Sequence, residues 1–320
     1  MFRSITDALQ FEGRLEIMKR KLDLVIVLIL AVCATLAYAS VPVRIEEWAI
    51  PSGDVFPHDP AVAPDGALWY TGMGSNTLGR LDVKTGQFRS YPLKTPDSGP
   101  HGLVADRDGA IWFTANYKGY IGRLDPKSGV VTEFPLPDKA ARDPHTLVFD
   151  AQGMIWFTVQ QGNFVGRLDP ATGRIALKRP PTADARPYGI AVNARGIPFF
   201  CEFGSNRIGS IDPATMAITE YRLPKGARPR RIAISADDMI WYTDYRRGYL
   251  GRLDPPVRHD RDAGRHGLVQ RIGRKAEHHG PIRPPDSKVR DLAGPLRRWR
   301  DPQHGCHASR RYLHRLQRGI

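Results

Sequence analysis

The sequence predicts an all-β fold, a β-propeller built from four-stranded antiparallel blades. Three observations support this prediction. A unit of 42 to 44 residues recurs five times, each unit holds four short apolar segments between turns, and no window after the apolar leader keeps a 3.6-residue period. Because one such sheet cannot cover both of its faces, we expect the units to stack around a common axis.

Two sequence markers define the repeat. Gly-Arg-Leu-Asp begins at residues 79, 122, 166 and 251, and Gly-Ser-Ile-Asp begins at residue 209, which gives steps of 43, 44, 43 and 42 residues. An aromatic residue recurs with the same steps, and its five positions are Trp69, Trp112, Trp156, Phe199 and Trp241. Bulky aromatic side chains at one position of every blade predict wedges between neighbouring blades.

The second repeat shows the four expected strands, at residues 102–105, 110–114, 120–124 and 130–136. Between them lie Asp-, Asn-, Pro- and Gly-rich segments. In these segments Asp bonds to nearby backbone N–H groups, Pro fixes φ, and Gly takes the left-handed conformation. Residues 46–51 resemble the outer strand of a later repeat and are expected to complete the last blade.

The two ends of the chain differ from this body. Residues 1–39 read as an upstream extension followed by a secretory signal. The signal has a basic head at Met18–Lys21, an apolar run over residues 24–36, and small residues at 37–39. Residues 40–254 hold the propeller repeats. Residues 255–320 carry no marker in phase, and they read either as a disordered basic tail or as the product of a reading-frame shift.

The charge and cysteine counts exclude several classes of protein. The formal net charge is +14, but the last 66 residues hold 16 basic and 6 acidic side chains, so most of the charge lies outside the repeats. Nucleic acid is therefore not an expected partner. Three scattered cysteines exclude a disulfide framework. The apolar run is shorter than a spanning helix, so we expect a periplasmic or secreted protein with no stable membrane insertion.

Candidate site residues occupy two positions of the repeat. The first precedes the innermost strand, usually after Pro, and holds His58, His101, His145, Tyr188 and Arg230. All three histidines of residues 1–254 share this position, which suits proton transfer or metal binding. The second position follows the next strand and holds Gly72, Ala115, Val159, Glu202 and Asp244, with Asn116 and Gln160 one residue further on. Each of these side chains also has a structural interpretation, as a backbone hydrogen-bond donor, an ion-pair partner or a filler.

The repeat resembles that of the virginiamycin B lyase (streptogramin lyase) propellers, through Pro100-His101-Gly102, Trp112-Phe113-Thr114, Gly122–Asp125 and Glu133–Pro137. The resemblance covers residues 44–254, five of an expected seven blades. It implies a monomeric seven-bladed propeller and, in characterised members, a Mg²⁺-dependent lyase that opens a cyclic depsipeptide by eliminating across its ester. A histidine of the first position would be the base (His58, His101 or His145). Glu202, and with it Asp244, would be the metal-ligand type.

Two functions follow as hypotheses. The first is a carbon–oxygen lyase, or a related propeller lactonase, that acts on a cyclic ester or peptide, with Tyr188, Arg230, Asn116 and Gln160 as ligand-binding residues. The second is a non-catalytic propeller that binds a small ligand or a partner protein at the same place. The fifth repeat reads Pro229-Arg230-Arg231 where the family pattern is Pro-His-Gly, and this departure weakens the lyase hypothesis.

Overall fold

The computed structural model describes residues 18–23, 25–26, 45–51, 53, 55–253 and 270–272. The chain divides into two compact units, Met1–Pro51 and Ser52–Ile320. In the first unit, residues 18–23 and 25–26 are helical. None of the helical residues described belongs to a helix long and apolar enough for a membrane span. Most of the predicted upstream extension and signal lies outside the described residues.

The described part of the second unit contains five antiparallel sheets, each of four strands in sequence order, as the repeat predicts. We call each sheet a blade. The first three blades comprise β1 Pro57–Val62, β2 Leu68–Gly72, β3 Thr77–Asp82, β4 Gln87–Pro92, β5 Pro100–Ala105, β6 Ile111–Ala115, β7 Tyr120–Leu124, β8 Val131–Pro135, β9 Pro144–Phe149, β10 Ile155–Val159, β11 Phe164–Leu168 and β12 Ile175–Lys178. The other two comprise β13 Pro187–Val192, β14 Pro198–Glu202, β15 Arg207–Ile211, β16 Ile218–Arg222, β17 Pro229–Ile234, β18 Ile240–Asp244, β19 Tyr249–Leu253 and β20 Gln270–Ile272.

The fifth blade takes its outer strand from an unexpected part of the chain. Strand β20 pairs with β19 in an antiparallel register, and it lies inside the segment that the sequence assigned to the tail. The other residues of that segment lie outside the described part. Residues 45–50 are not in a strand. The closing blade that residues 46–51 were predicted to complete is not among the five described sheets, so that pairing stays a prediction.

The predicted aromatic wedges between blades are confirmed. Trp69 of the first blade packs in one core with Phe113 of the second, and Trp112 packs with Phe157 of the third. Trp156 packs with Phe200 of the fourth blade, whose Phe199 in turn packs with Tyr242 of the fifth. Burial of such side chains is the main favourable term in joining the blades, since each large aromatic removes about 150–250 Å² from water.

The outward faces of the end blades are more open. Trp241 and Tyr70 are only half-buried, whereas their counterparts in the inner blades are buried. Leu250 of β19 is 44% exposed, while the equivalent Ile121 and Val165 are fully buried. This difference is expected where no described blade follows the fifth or precedes the first.

Each residue of the Gly-Arg-Leu-Asp motif has a separate physical role. In the second blade, a Cβ atom on Gly122 would lie 2.1 Å from the ring of Phe113, so only glycine allows that ring to cover the strand. The Arg123 guanidinium lies over Trp112, 5.8 Å from the ring centroid. Leu124 is buried, and Asp125 accepts hydrogen bonds from the N–H of Lys127 and the hydroxyl of Ser128 in the following turn.

Candidate functional site

The innermost strands β1, β5, β9, β13 and β17 contact one another in blade order and so line the centre of the assembly. Each begins with a proline that pairs with the last residue of the second strand, as Pro100 pairs with Ala115. The ladder then shifts register before it resumes three residues later, in all five sheets. The bulge sets the direction of the side chain that follows each proline. Bulges often re-aim side chains beside functional sites.

In the first three blades, a threonine hydroxyl holds the following blade at its bulge. Thr114 accepts a hydrogen bond from the N–H of Gly102 at 2.8 Å and donates one to the carbonyl of His145 in the third blade, also at 2.8 Å. Thr71 and Thr158 donate equivalent bonds to the carbonyls of His101 (2.9 Å) and Tyr188 (2.6 Å). The backbone that carries His101, His145 and Tyr188 is therefore fixed by the preceding blade.

The five residues at the first candidate position form one continuous series, which we call the inner arc: His58, His101, His145, Tyr188 and Arg230. Ring centroids are 3.7 Å apart for His58 and His101, and 3.9 Å apart for His101 and His145. The rings of His145 and Tyr188 are also 3.9 Å apart. Arg230 completes the arc by donating to the Tyr188 hydroxyl at 2.9 Å. The structure thus brings all five predicted residues together.

Two charged residues beside the inner arc were missed by the sequence analysis. Asp59 accepts hydrogen bonds from His58 Nδ1 (3.0 Å) and from Arg231 of the fifth blade (3.3 Å), so the first and fifth blades are joined by an ion pair. The Arg231 guanidinium also lies 5.5 Å from the Tyr188 ring centroid. A signal was present, since this position is Gly102 and Gly189 in two sister repeats but charged in these two.

Burial and nearby cations keep the middle of the arc neutral. Burial, with His58 and Arg231 acting in the same direction, lowers the pKa of His101 to about 3 despite the opposing Asp59 carboxylate. Burial, followed by His101 and Arg231, also holds the pKa of His145 well below its usual range. For Asp59 the effect of burial is outweighed by the hydrogen bond from His58 and the charge of Arg231, which lower its pKa. The arc therefore presents neutral imidazoles beside guanidinium groups.

The second candidate position faces a different environment. Glu202 is fully buried and accepts a hydrogen bond from the Ser205 hydroxyl at 2.7 Å. Asp244 is buried as well, with Oδ2 paired to Nε of Arg247 at 2.6 Å and Oδ1 accepting the N–H groups of Arg228 and Arg247. Neither carboxylate is hydrogen-bonded or ion-paired to an inner-arc residue within the described part of the chain. No hydrogen bond or ion pair of the described residues links the two carboxylates to each other.

Asn116, Gln160 and their equivalents follow the second candidate position by one residue. Asn116 donates its amide to the carbonyl of Pro144 at 3.1 Å, which gives it a structural role between blades. Gln160 is half-buried. The same position in the last two blades holds Phe203 and Tyr245, which the sequence analysis did not single out. Their rings are 5.8 Å apart, and Phe203 lies 5.3 Å from Tyr188, so they extend the arc with an aromatic border.

Comparison with known proteins identifies the family that shares this fold. The virginiamycin B lyase family matches residues 34–286, well over half of the chain. The chain belongs to the virginiamycin B lyase family. Among solved structures, a streptogramin B lyase is 33% identical, with a TM-score of 0.65, 73% of this chain and 74% of that chain covered. Virginiamycin B lyase from Staphylococcus aureus is 29% identical, with a TM-score of 0.65 and 73% and 75% covered.

A third similar structure concerns the same Staphylococcus aureus lyase, as a catalytically inactive variant with one histidine replaced by alanine, crystallised with quinupristin. It is 29% identical, with a TM-score of 0.64 and coverage of 72% of this chain and 74% of that one. Comparison with curated protein sequences gives no match. Family membership confirms the predicted propeller resemblance, while the expected number of seven blades stays a prediction.

Cys201 replaces the bridging threonine of the family repeat in the fourth blade. It is a free thiol with no exposed surface, and burial raises its pKa far above the ordinary value. These properties fit a small core residue rather than a nucleophile.

The Mg²⁺ ion that the virginiamycin B lyase resemblance implies does not fit the described residues. Mg²⁺ prefers an octahedral set of oxygen ligands, and no group of three metal-ligating side chains among the described residues includes Glu202 or Asp244. In the described part of the chain, one group brings metal-ligating atoms together, within 4.8 Å of one another, and it consists of His58, Asp59 and His101. Two imidazoles and one carboxylate are not the ligand set of Mg²⁺, so no catalytic step is derived through that ion.

Replacing Glu202 by glutamine is expected to change the pH dependence of stability. Burial raises the pKa of Glu202 to about 8, and Ser205 opposes this only in part. Because the unfolded pKa is near 4.5, the parent loses stability between about pH 4.5 and 8, by up to about 1.4 kcal/mol per pH unit. Glu202→Gln removes this loss, so its urea-unfolding free energy relative to the parent should rise from pH 5 to pH 8. A relative value that falls over this range would contradict the assignment.

Proposed function

We propose that this chain opens a cyclic ester, of the depsipeptide class, by β-elimination at the inner arc. The observation that supports the proposal most is the contact series His101–His145–Tyr188–Arg230, which sets a neutral imidazole next to a phenol and a guanidinium. Membership of the virginiamycin B lyase family, and the quinupristin complex of a similar enzyme, favour this substrate class. The proposal assigns His145 as the base.

The proposed elimination breaks one C–H and one C–O bond and forms one C=C double bond. Nε2 of His145 takes the proton on the carbon α to the substrate carbonyl. The electron pair of that C–H bond becomes the new Cα=Cβ double bond, the Cβ–O bond of the ester breaks, and its electron pair leaves on the carboxylate. Nδ1 of His145 is 3.0 Å from the Thr146 hydroxyl, which orients the ring and leaves Nε2 free of hydrogen bonds to the described residues.

Tyr188 and Arg230 are suited to the negative charge that this reaction develops. The Arg230 guanidinium lies 5.1 Å from the Tyr188 ring centroid and 5.0 Å from that of Tyr245. It forms no ion pair with a described carboxylate, and its Nε is buried without a hydrogen-bond partner in the described structure. A fixed cation in a partly dry site stabilises an enolate or a departing carboxylate more strongly than one in water.

The second candidate function, ligand binding without turnover, is favoured by a specific observation. The burial and cations that lower the pKa of His145 also oppose the imidazolium that proton abstraction must form. Such a site binds a carbonyl- or carboxylate-bearing ligand through Tyr188 and Arg230. Its His145 imidazole, however, is a weak base.

The experiment that separates these functions is a mass-resolved turnover assay of the full chain with a streptogramin B depsipeptide. Elimination produces a linear product of unchanged mass with a new double bond, whereas lactone hydrolysis adds one water. The cyclic analogue with an amide in place of the ester is the control, because its leaving group is far poorer. Saturable binding with no linear product would support the binding function, and neither binding nor turnover would contradict both.

A further inference from the structure

We propose that His58, Asp59 and His101 form a binding site for a divalent transition-metal ion of the zinc class. One ligand atom from each residue lies within 4.8 Å of the others, and His58 Nδ1 is already 3.0 Å from Asp59 Oδ1. Ligand atoms around a tetrahedral zinc ion are about 3.4 Å apart. Small side-chain rotations would therefore close the set. This proposal does not depend on lyase activity.

The backbone that carries the three ligands is held rigidly. The Thr71 hydroxyl accepts the N–H of Asp59 at 3.0 Å and donates to the carbonyl of His101 at 2.9 Å. One side chain thus fixes the spacing between a ligand of the first blade and a ligand of the second. A site whose ligands are positioned before binding loses less conformational entropy when the ion arrives.

Polar atoms of the cluster remain available for a ligand. Nδ1 of His101 is buried, and no atom of the described residues forms a hydrogen bond to it. His101 itself is only 5% exposed. A buried nitrogen without a partner is costly, and coordination of a metal ion, directly or through a bound water, removes that cost.

The donor types select the metal. Imidazole nitrogen suits Zn²⁺, Co²⁺ and Ni²⁺, while Mg²⁺ and Ca²⁺ take sets of oxygen ligands. Three protein ligands with an open fourth position are the usual arrangement of a zinc ion that is accessible to substrate or water. His58 and Asp59 have 23% and 16% of their side-chain surface exposed, so the open position would face the centre of the blades.

The Arg231 guanidinium contacts one of the three proposed ligands. It is 3.3 Å from Oδ1 of Asp59 and therefore competes with a cation for the same carboxylate. Removing that charge should strengthen metal binding, while removing a ligand should weaken it. An increase in affinity is a useful readout because misfolding of a variant cannot produce it.

The test is Zn²⁺ uptake by the full chain at neutral pH, measured by equilibrium dialysis, with the visible absorption of bound Co²⁺ as a second readout. Seven further histidines lie between residues 255 and 320 and can bind Zn²⁺ as well. Binding at the proposed site is therefore measured as the difference in Zn²⁺ uptake between the parent and each variant. Asp59→Asn and His58→Phe should each lose one equivalent of tightly bound Zn²⁺, at least a tenfold loss of affinity. Arg231→Met should bind that equivalent at least threefold more tightly.

His145→Phe is the matched control, because it preserves a ring between His101 and Tyr188 and removes an imidazole of the same arc. It should retain the full equivalent of Zn²⁺ and the Co²⁺ spectrum. Millimolar Mg²⁺ should displace neither ion. The proposal is overturned if Asp59→Asn and the parent take up equal Zn²⁺, if His145→Phe loses as much as His58→Phe, or if Arg231→Met binds more weakly than the parent.

Discussion

Replacing His145 by phenylalanine is expected to lower kcat/KM for depsipeptide opening by about 10²–10⁴-fold, the usual contribution of a positioned general base. The substitution keeps an aromatic ring at a site where His145 is only 4% exposed. The stack with His101 and Tyr188, at 3.9 Å on each side, is retained in shape. Both ring nitrogens are lost, Nε2 that accepts the proton and Nδ1 that contacts the Thr146 hydroxyl.

The measurement is the steady-state rate of linear product formation, with far-UV circular dichroism to show that the variant is folded. Glu202→Gln is the control, because Glu202 hydrogen-bonds to Ser205 rather than to the inner arc and should leave kcat/KM within about threefold of the parent. A His145→Phe protein that is folded and turns over at the parental rate would remove His145 from the mechanism, whatever the fate of the metal site.

Gly122→Ala is expected to destabilise the protein by about 1–3 kcal/mol or more, the range for an overpacked core. The added Cβ would be 2.1 Å from Cζ and 2.3 Å from Cε1 of Phe113. That ring is fully buried in the core between the first two blades, so it cannot turn aside without opening the interface. Urea unfolding followed by tryptophan fluorescence measures the change.

Gly109→Ala in the same blade is the matched control. No atom lies within 4 Å of its added Cβ, and its φ of +88° costs only the strain of a left-handed residue, about 1–2 kcal/mol. Adding Phe113→Leu to Gly122→Ala removes the atoms that clash, so the double variant should lose less than the sum of the single losses. Additive losses would show that the ring does not determine the choice of glycine.

The sequence markers were sufficient for the blades and for the composition of the inner arc. Their nearly equal steps placed Trp69, Trp112 and Trp156 at equivalent points of successive sheets. When sheets stack, side chains at equivalent points each face the next sheet in the same way. The same reasoning brought the histidines together. It did not explain the glycine of Gly-Arg-Leu-Asp, because the reason is a ring on the adjacent strand rather than a turn.

The rest of the site depended on contacts that no repeat encodes. The Asp59–Arg231 ion pair joins residues 172 positions apart in two different blades, so neither repeat alone predicts it. Glu202 was singled out because its sister positions are small. Yet the direction of a side chain at a strand end depends on the bulge opposite, and here Glu202 points to the Ser205 turn.

The central claim is that consecutive blades place their first candidate residues side by side around one axis. The most direct measurement is the set of nuclear Overhauser contacts between histidine ring protons in selectively histidine-labelled protein, assigned with His58→Phe, His101→Phe and His145→Phe. Ring centroids 3.7 and 3.9 Å apart predict strong cross-peaks between His58 and His101 and between His101 and His145. A folded protein in which His101 shows contacts to neither ring would contradict the account.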